Sequence, residues 1–418
     1  MLTKGFVDRL FATSTIQRWT DHIRPMDLTA LGKHAHMLVI AWVIGKRAER
    51  TEGWDVDWDY LIKGSLFELL RFSVLTDIKS QVLKEIRSNE DDKKKLDEYI
   101  VGELQKSLSG MPIELIDGMP DYYADIHGEA SRWNAYKILR ASSSLATMWE
   151  FILIEKSNPF LHDIKDTRQN IEAGVRQYQY IPAVLDLYER RNDLSRFTDL
   201  CGRLRFQLRW SQTPILPPRP VLDHELIVAY LSYACVVDTA KRNKTNEKWR
   251  RYSAFFGALF HDLPEVLTRD IVSPVKHGAN IDGIIARIEN NWFEKTISPM
   301  LPERLYREVK YFSIEEFENK EWPPEDWPDY LDLPKDGRTK TMHPGDIIKS
   351  CDKFAGFMEA YYSLTYGIKS DNLINAIYPN AKGETERRLL NKHGYDFGKL
   401  YTEYSDELRD KHKIHKAR

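Results

Sequence analysis

Cysteine is scarce in this chain, and neither sign of charge is in excess. Cys201, Cys235 and Cys351 are the only three cysteines in 418 residues. Their odd number and wide spacing leave no CxxC pair for zinc or dithiol chemistry, and they fit a reducing, cytoplasmic setting. Lys and Arg number 61 against 63 Asp and Glu, a net charge of −2. That balance argues against the broad basic surface of a nucleic-acid binder. Long apolar runs are also missing. No stretch approaches the roughly 18 residues of a membrane span, so no membrane partner is expected. Asp8 and Arg9 interrupt the apolar pattern near the N-terminus, where a signal peptide would be continuous. Period-two alternation is rare, which leaves little room for strands.

What remains is a helical chain with material for a core. Apolar residues make up 42% and charged residues 30%, a composition of folded proteins and not of disordered ones. The length suits two domains of ordinary size. Residues 38–44 and 226–237 lie in apolar stretches longer than a strand once their flanks are added. Pro344-Gly345-Asp346 precedes an apolar segment, as expected of Pro in a first helical turn. The expected class is all-α. Residues 321–341, with Trp322, Trp327, Pro323, Pro324 and Pro328, stand apart as an ordered excursion.

The two halves share short matches in the same order. Phe6, Asp8 and Arg18-Trp19 correspond to Phe197, Asp199 and Arg209-Trp210 at a shift of 191. The segment from His36 to Trp42 corresponds to His224 to Tyr230 at a shift of 188. Gly64 to Phe67 and Asp77 correspond to Gly257 to Phe260 and Asp270 at 193, and residues 138–150 correspond to 347–359 at 209. Slowly changing shifts in a fixed order predict a duplicated helical domain of about 200 residues. The boundary is expected at 192/193, with a first domain over 1–192 and a second over 193–418.

Chemistry concentrates in the second half. His261-Asp262 closes an apolar helix, Glu265 follows one turn later and Asp270 five residues after that. His224 opens an earlier helix and Asp352 lies in a later one. Two imidazoles and two carboxylates brought together suit Mn, Co, Fe, Ni or Zn better than Mg or Ca, which prefer all-oxygen sites.

The order His, His-Asp, Asp resembles the HD superfamily of metal-dependent phosphohydrolases. The run from His261 to Lys276, read as HDxxEVLTxDxxxPVK, looks like its bacterial 5'-deoxynucleotidase branch. So does Arg209-Trp210, placed fifteen residues before His224. The resemblance spans about 197–362 and implies a tandem pair of HD bundles. It makes His224, His261, Asp262 and Asp352 metal ligands and Glu265 the group that handles the proton of the attacking water. Asp270 would orient substrate or water. Arg209 would hold the phosphate, Trp210 would crowd the ribose 2' position, and Lys276 would be a further substrate contact. The substrate implied is a (deoxy)nucleoside 5'-monophosphate. Two departures put substrate choice in question: Arg269 stands where that branch has glycine, and residues 321–341 lengthen the stretch between Asp262 and Asp352.

The first half keeps Arg18-Trp19, His36 and Asp77 but has Glu68-Leu69 for His261-Asp262, Phe72 for Glu265 and Ser143 for Asp352. It is expected to be a degenerate copy that buttresses the second, completes its pocket, or binds a nucleotide without hydrolysing it. Two alternatives accompany the nucleotidase reading: hydrolysis of nucleoside triphosphates or phosphodiesters, and a nucleotide-sensing scaffold without turnover. A homo-oligomer is compatible with all three.

Overall fold

A computed structural model describes residues 1–190, 192–243, 248–269, 271, 281–321 and 343–416. Among them are helices and no strand, only three isolated bridges, as the scarcity of alternation implies. Asp270, Lys276 and nearly all of the 321–341 excursion fall outside the described residues.

The helices that position the site are α1 (Lys4–Ala12), α2 (Ala30–Glu52), α3 (Trp58–Leu75) and α4 (Ala130–Ser157) in the first half. In the second half they are α5 (Asp193–Gly202), α6 (Val221–Asn243), α7 (Lys248–Leu259), α8 (Glu265–Thr268) and α9 (Gly345–Thr365). Helices α2 and α6 are buried all round over most of their length, the condition of a helix at the centre of a core rather than at its surface. Thr29 caps α2 through the amide of Gly32, which satisfies one of the free N–H groups of the first turn. Gly53 ends the same helix in the left-handed conformation at φ 62°, a position where glycine carries no Cβ penalty.

The two halves share one continuous core. Polar contacts cross their seam as well. The Trp42 indole N–H donates to the Tyr252 hydroxyl at 2.8 Å, and Tyr233 donates to Asp59 at 2.7 Å. Ser65 and Tyr230 pair through their hydroxyls at 2.9 Å. Lys46 meets Glu308 at 3.1 Å, and Thr29 donates to Asp223 at 2.9 Å.

Local geometry repeats between the halves. A short bridge joins Gln17 to Thr29, and another joins Leu208 to Pro220. Arg18 N–H donates to Leu28 O at 2.7 Å, and Arg209 N–H to Arg219 O at 2.8 Å. Trp19 and Trp210 both sit at positive φ, 57° and 61°, an uncommon setting for a bulky residue. Each indole N–H donates to a buried carboxylate, Trp19 to Glu150 at 2.8 Å and Trp210 to Glu359 at 2.7 Å.

These bridges correct one sequence correspondence. They set α2 against α6 at a shift of 191, so Lys33, and not His36, stands where His224 stands. His36 is buried against the second half: its Nε2 lies 3.0 Å from Thr198 O, and its ring meets Trp149 edge-on. Apolar positions in a helix buried all round constrain register weakly, and the bridge at its entry fixes what the pattern left loose.

All three cysteines are free and buried. Cys235 on α6 and Cys351 on α9 bring their sulfurs to 3.7 Å. No helix among the described residues is long and apolar enough to cross a membrane.

Candidate metal centre

The centre lies where α6, the end of α7 and α9 converge. His224 sits in the first turn of α6, beyond Pro220, whose carbonyl accepts its backbone N–H. Its Nδ1 lies 2.9 Å from Glu359 Oε1 and its Nε2 lies 2.9 Å from Asp352 Oδ1. Asp352 and Glu359 are seven residues apart on α9, two helical turns, and so share a face. Glu359 is buried, with no acceptor role left for solvent, and it draws the Nδ1 proton of His224 toward itself. This is the arrangement in which a carboxylate fixes an imidazole tautomer and turns the other nitrogen's lone pair toward a metal.

His261 follows the last turn of α7 and repeats the logic with a backbone partner. Its Nδ1 lies 2.7 Å from Ala258 O. Its Nε2 is buried without a hydrogen-bond partner; the Asp262 carboxylate is 3.2 Å away. The ligand atoms of His224, His261 and Asp352 all lie within 4.8 Å of one another. A buried imidazole nitrogen left without a hydrogen bond, facing another imidazole and a carboxylate, fits a divalent transition metal.

Asp262, expected as the fourth ligand, adjoins this group, but its Oδ2 also accepts from Arg209 Nη1 at 3.2 Å. Arg209 lies against the cluster, 3.9 Å from Asp352 and 3.7 Å from Glu359. Glu265 opens α8, buried, with its amide bonded to Asp262 O at 2.9 Å. Trp210 is half-buried and tied by its indole to Glu359. The structure therefore gathers Arg209, Trp210, His224, His261, Asp262, Glu265 and Asp352 into one place.

Electrostatics in the cluster are those of a site short of positive charge. Burial pushes the Asp352 carboxyl up, but the hydrogen bond and charge of His224, with Arg209, hold it well below the usual carboxylate range. Burial disfavours the His261 imidazolium, yet Asp262, Asp352 and Glu225 together push it up to about 10. Protons on the two imidazoles occupy the role that a cation would take, and a metal entering the cluster must displace them.

Two residues escaped the sequence reading. Glu359 was visible only as the last position of a repeated segment. Glu225 directly follows His224 and is fully buried; burial, reinforced by Asp262, holds its carboxyl well above the usual range. Its proximity to a ligand in sequence was the only signal. His343 serves structure: Ser253 lies 3.1 Å from its Nδ1, and its Nε2 lies 2.8 Å from Glu316 O. Arg269 adopts φ 65° and ψ 159°, a region that favours glycine.

Comparisons with known proteins agree with this geometry. Residues 201–379 match the HD domain family. A 5'-deoxynucleotidase of Pectobacterium atrosepticum is 26% identical over 209 residues, covering 50% of this chain and 89% of that protein. 5'-Deoxynucleotidases of Yersinia pestis and Yersinia pseudotuberculosis are 28% identical over 129 residues, 31% of this chain and 64% of theirs, just under two thirds of their length. No solved structure matches the chain.

Proposed function

We propose, from the match of residues 201–379 to the HD domain family, that the second half of this chain is a metal-dependent phosphohydrolase. The preferred substrates in this reading are deoxyribonucleoside 5'-monophosphates, which the names of its relatives suggest. The observation that carries the reading is the convergence of His224, His261 and Asp352 within 4.8 Å, with Arg209 beside them.

In this reading His224, His261, Asp262 and Asp352 hold the metal. A bound Mn, Co, Fe, Ni or Zn ion supplies an acidified water and neutralises phosphate charge. Glu359 and the Ala258 carbonyl orient the two imidazoles. Glu265 takes the proton of the attacking water and delivers it to the leaving oxygen. Arg209 offers a planar fork to the phosphate in exchange for its contact with Asp262. Trp210, fixed through Glu359, fills the space of a 2'-hydroxyl. Asp270 and Lys276 are assigned to substrate on resemblance alone. The first half, over 1–192, is read as a copy that has lost the metal.

A panel of nucleoside monophosphates, triphosphates and phosphodiesters, assayed with added Mn or Co, tests the reaction class. The sugar gate has its own test, kcat/KM for one base as deoxyribo- and ribonucleotide. Wild type should prefer the deoxy form, and Trp210→Ala should narrow that gap. An unchanged ratio in the variant rejects the gate.

A further inference from the structure

Residues corresponding to the metal centre form a second buried polar cluster in the first half, richer in basic side chains. Lys33 takes the place of His224 and Ser143 that of Asp352, and the Lys33 ammonium donates to the Ser143 hydroxyl where His224 meets Asp352 in the second half. Glu68 takes the place of His261. Arg18 and Trp19 keep the placement of Arg209 and Trp210.

The carboxylates around Lys33 are already taken. Glu150 receives Arg18 at 3.1 Å, the Trp19 indole at 2.8 Å and Arg205, reaching over from the second half, at 2.7 Å. Glu68 is held by Arg71 at 2.6 Å and Arg140 at 3.9 Å. Asp77 is held by Arg18 at 3.2 Å. Arg18, Arg71, Arg140 and Arg205, with the amine of Lys33, thus surround Glu68, Asp77 and Glu150, and Arg205 also faces Asp223. Around the metal centre Arg209 faces Asp262, Asp352, Glu359 and Glu265, and the imidazoles of His224 and His261 supply further positive charge.

Lys33 is buried, and among the described residues no carboxylate lies within ion-pair distance of its ammonium. A buried charge without a direct ion pair is costly, although Glu150 and Glu68 act on this one at longer range. Burial, with the neighbouring Arg18 and Arg140 and against the pull of Glu150 and Glu68, pushes this ammonium down to about 7. His34 beside it is pushed down to about 3 by burial and by Lys33, and so adds no charge near neutrality. An incoming anion would supply the missing partner. At the edge of this cluster Arg140 is partly exposed and Ser143 half-buried.

We propose that this pocket binds a phosphate group without a metal, the Lys33 ammonium standing where the second half would place its cation and Arg18 gripping the phosphate as Arg209 does. The ligand class is inorganic phosphate or a phosphomonoester such as a nucleoside monophosphate. The pocket has neither a Glu265 counterpart nor a metal set, so it binds without hydrolysis. This inference stands on the geometry of the first half and not on turnover by the second.

Binding of inorganic phosphate and of thymidine 5'-monophosphate to the full chain is measured by calorimetry after metal removal with a chelator, so that turnover does not enter the readout. Wild type and Arg209→Ala should both bind. Lys33→Met should bind at least about tenfold more weakly, as expected for loss of a charge-assisted contact. Arg18→Gln, which leaves the buried ammonium in place, should also weaken binding, and circular dichroism checks that each variant is folded. Tighter binding of the mononucleotide identifies a nucleotide ligand, and equal affinity identifies the phosphate group alone; either supports the site. Absence of binding in wild type overturns the proposal, as does binding lost in Arg209→Ala but kept in folded Lys33→Met.

Discussion

His261 and Glu265 lie four residues apart across the turn between α7 and α8, yet their surroundings assign them different work. His261 has one nitrogen committed to Ala258 O and the other facing Asp352 and His224. Its replacement by Ala, like Asp352→Ala, should remove bound transition metal and activity together, as read by metal analysis of the purified variants. Glu265→Gln should keep the metal and lose about 100-fold or more in kcat, the usual scale of a general acid–base group. A Gln variant that turns over normally would take Glu265 out of the reaction. Arg269 poses a separate question, because its φ of 65° with ψ of 159° suits glycine. Arg269→Gly should be more stable than Arg269→Ala by about 1 kcal/mol, since both lose the long side chain and only Ala keeps the strain. Denaturant melts of the two variants make the comparison.

At the scale of the helix, α6 shows how one buried segment serves both fold and site. Asp223 precedes His224, is fully buried and receives the Thr29 hydroxyl across the seam. Burial pushes its carboxyl up to about 6, against the pull of Arg205 and Thr29. Because the folded value exceeds the unfolded one near 3.9, the folded state binds the extra proton between these values. Stability therefore falls as pH rises from about 4 to about 6, and the full cost remains above that. Asp223→Asn keeps an acceptor for Thr29 without the charge. It should stabilise the fold at pH 7.5 by roughly 2–3 kcal/mol, read as a higher Tm, and change little at pH 4. Equal shifts at both pH values would show that charge is not the cause.

Elements of this kind were partly legible beforehand. The helical periods, the His-Asp pair and the Arg-Trp pairs gave the class and most of the residues that the structure brings together, because each carries its signal within a few residues. The register of α2 did not, since His36 offered a ready match to His224 and a buried lysine resembles no ligand. Glu359 was hidden for a different reason: a carboxylate that orients an imidazole has no spacing of its own in sequence. The halves' common seam was equally silent, because Trp42, Tyr230 and Tyr252 read simply as apolar positions of separate helices.

For the whole molecule, that seam predicts that the two halves unfold as one cooperative unit. Trp42 is fully buried, stacks edge-on against Phe260 and bonds Tyr252. Trp42→Ala should cost about 3–5 kcal/mol, the range for truncating a large core aromatic. Although the substitution lies in the first half, calorimetry should show a single transition moved to lower temperature. Two separated transitions, with only one displaced, would mean that the halves melt independently.

The buried thiols turn this architecture into a set of clocks. Cys201 lies on α5, which packs on α2 from the other half, while Cys235 and Cys351 face each other between the helices that carry His224 and Asp352. A bulky thiol reagent has no access to any of them in the closed protein and records only opening events. Uniform labelling of all three dates global unfolding. Early labelling of Cys201 dates the parting of the halves, and early labelling of Cys235 and Cys351 dates the loosening of the metal centre itself.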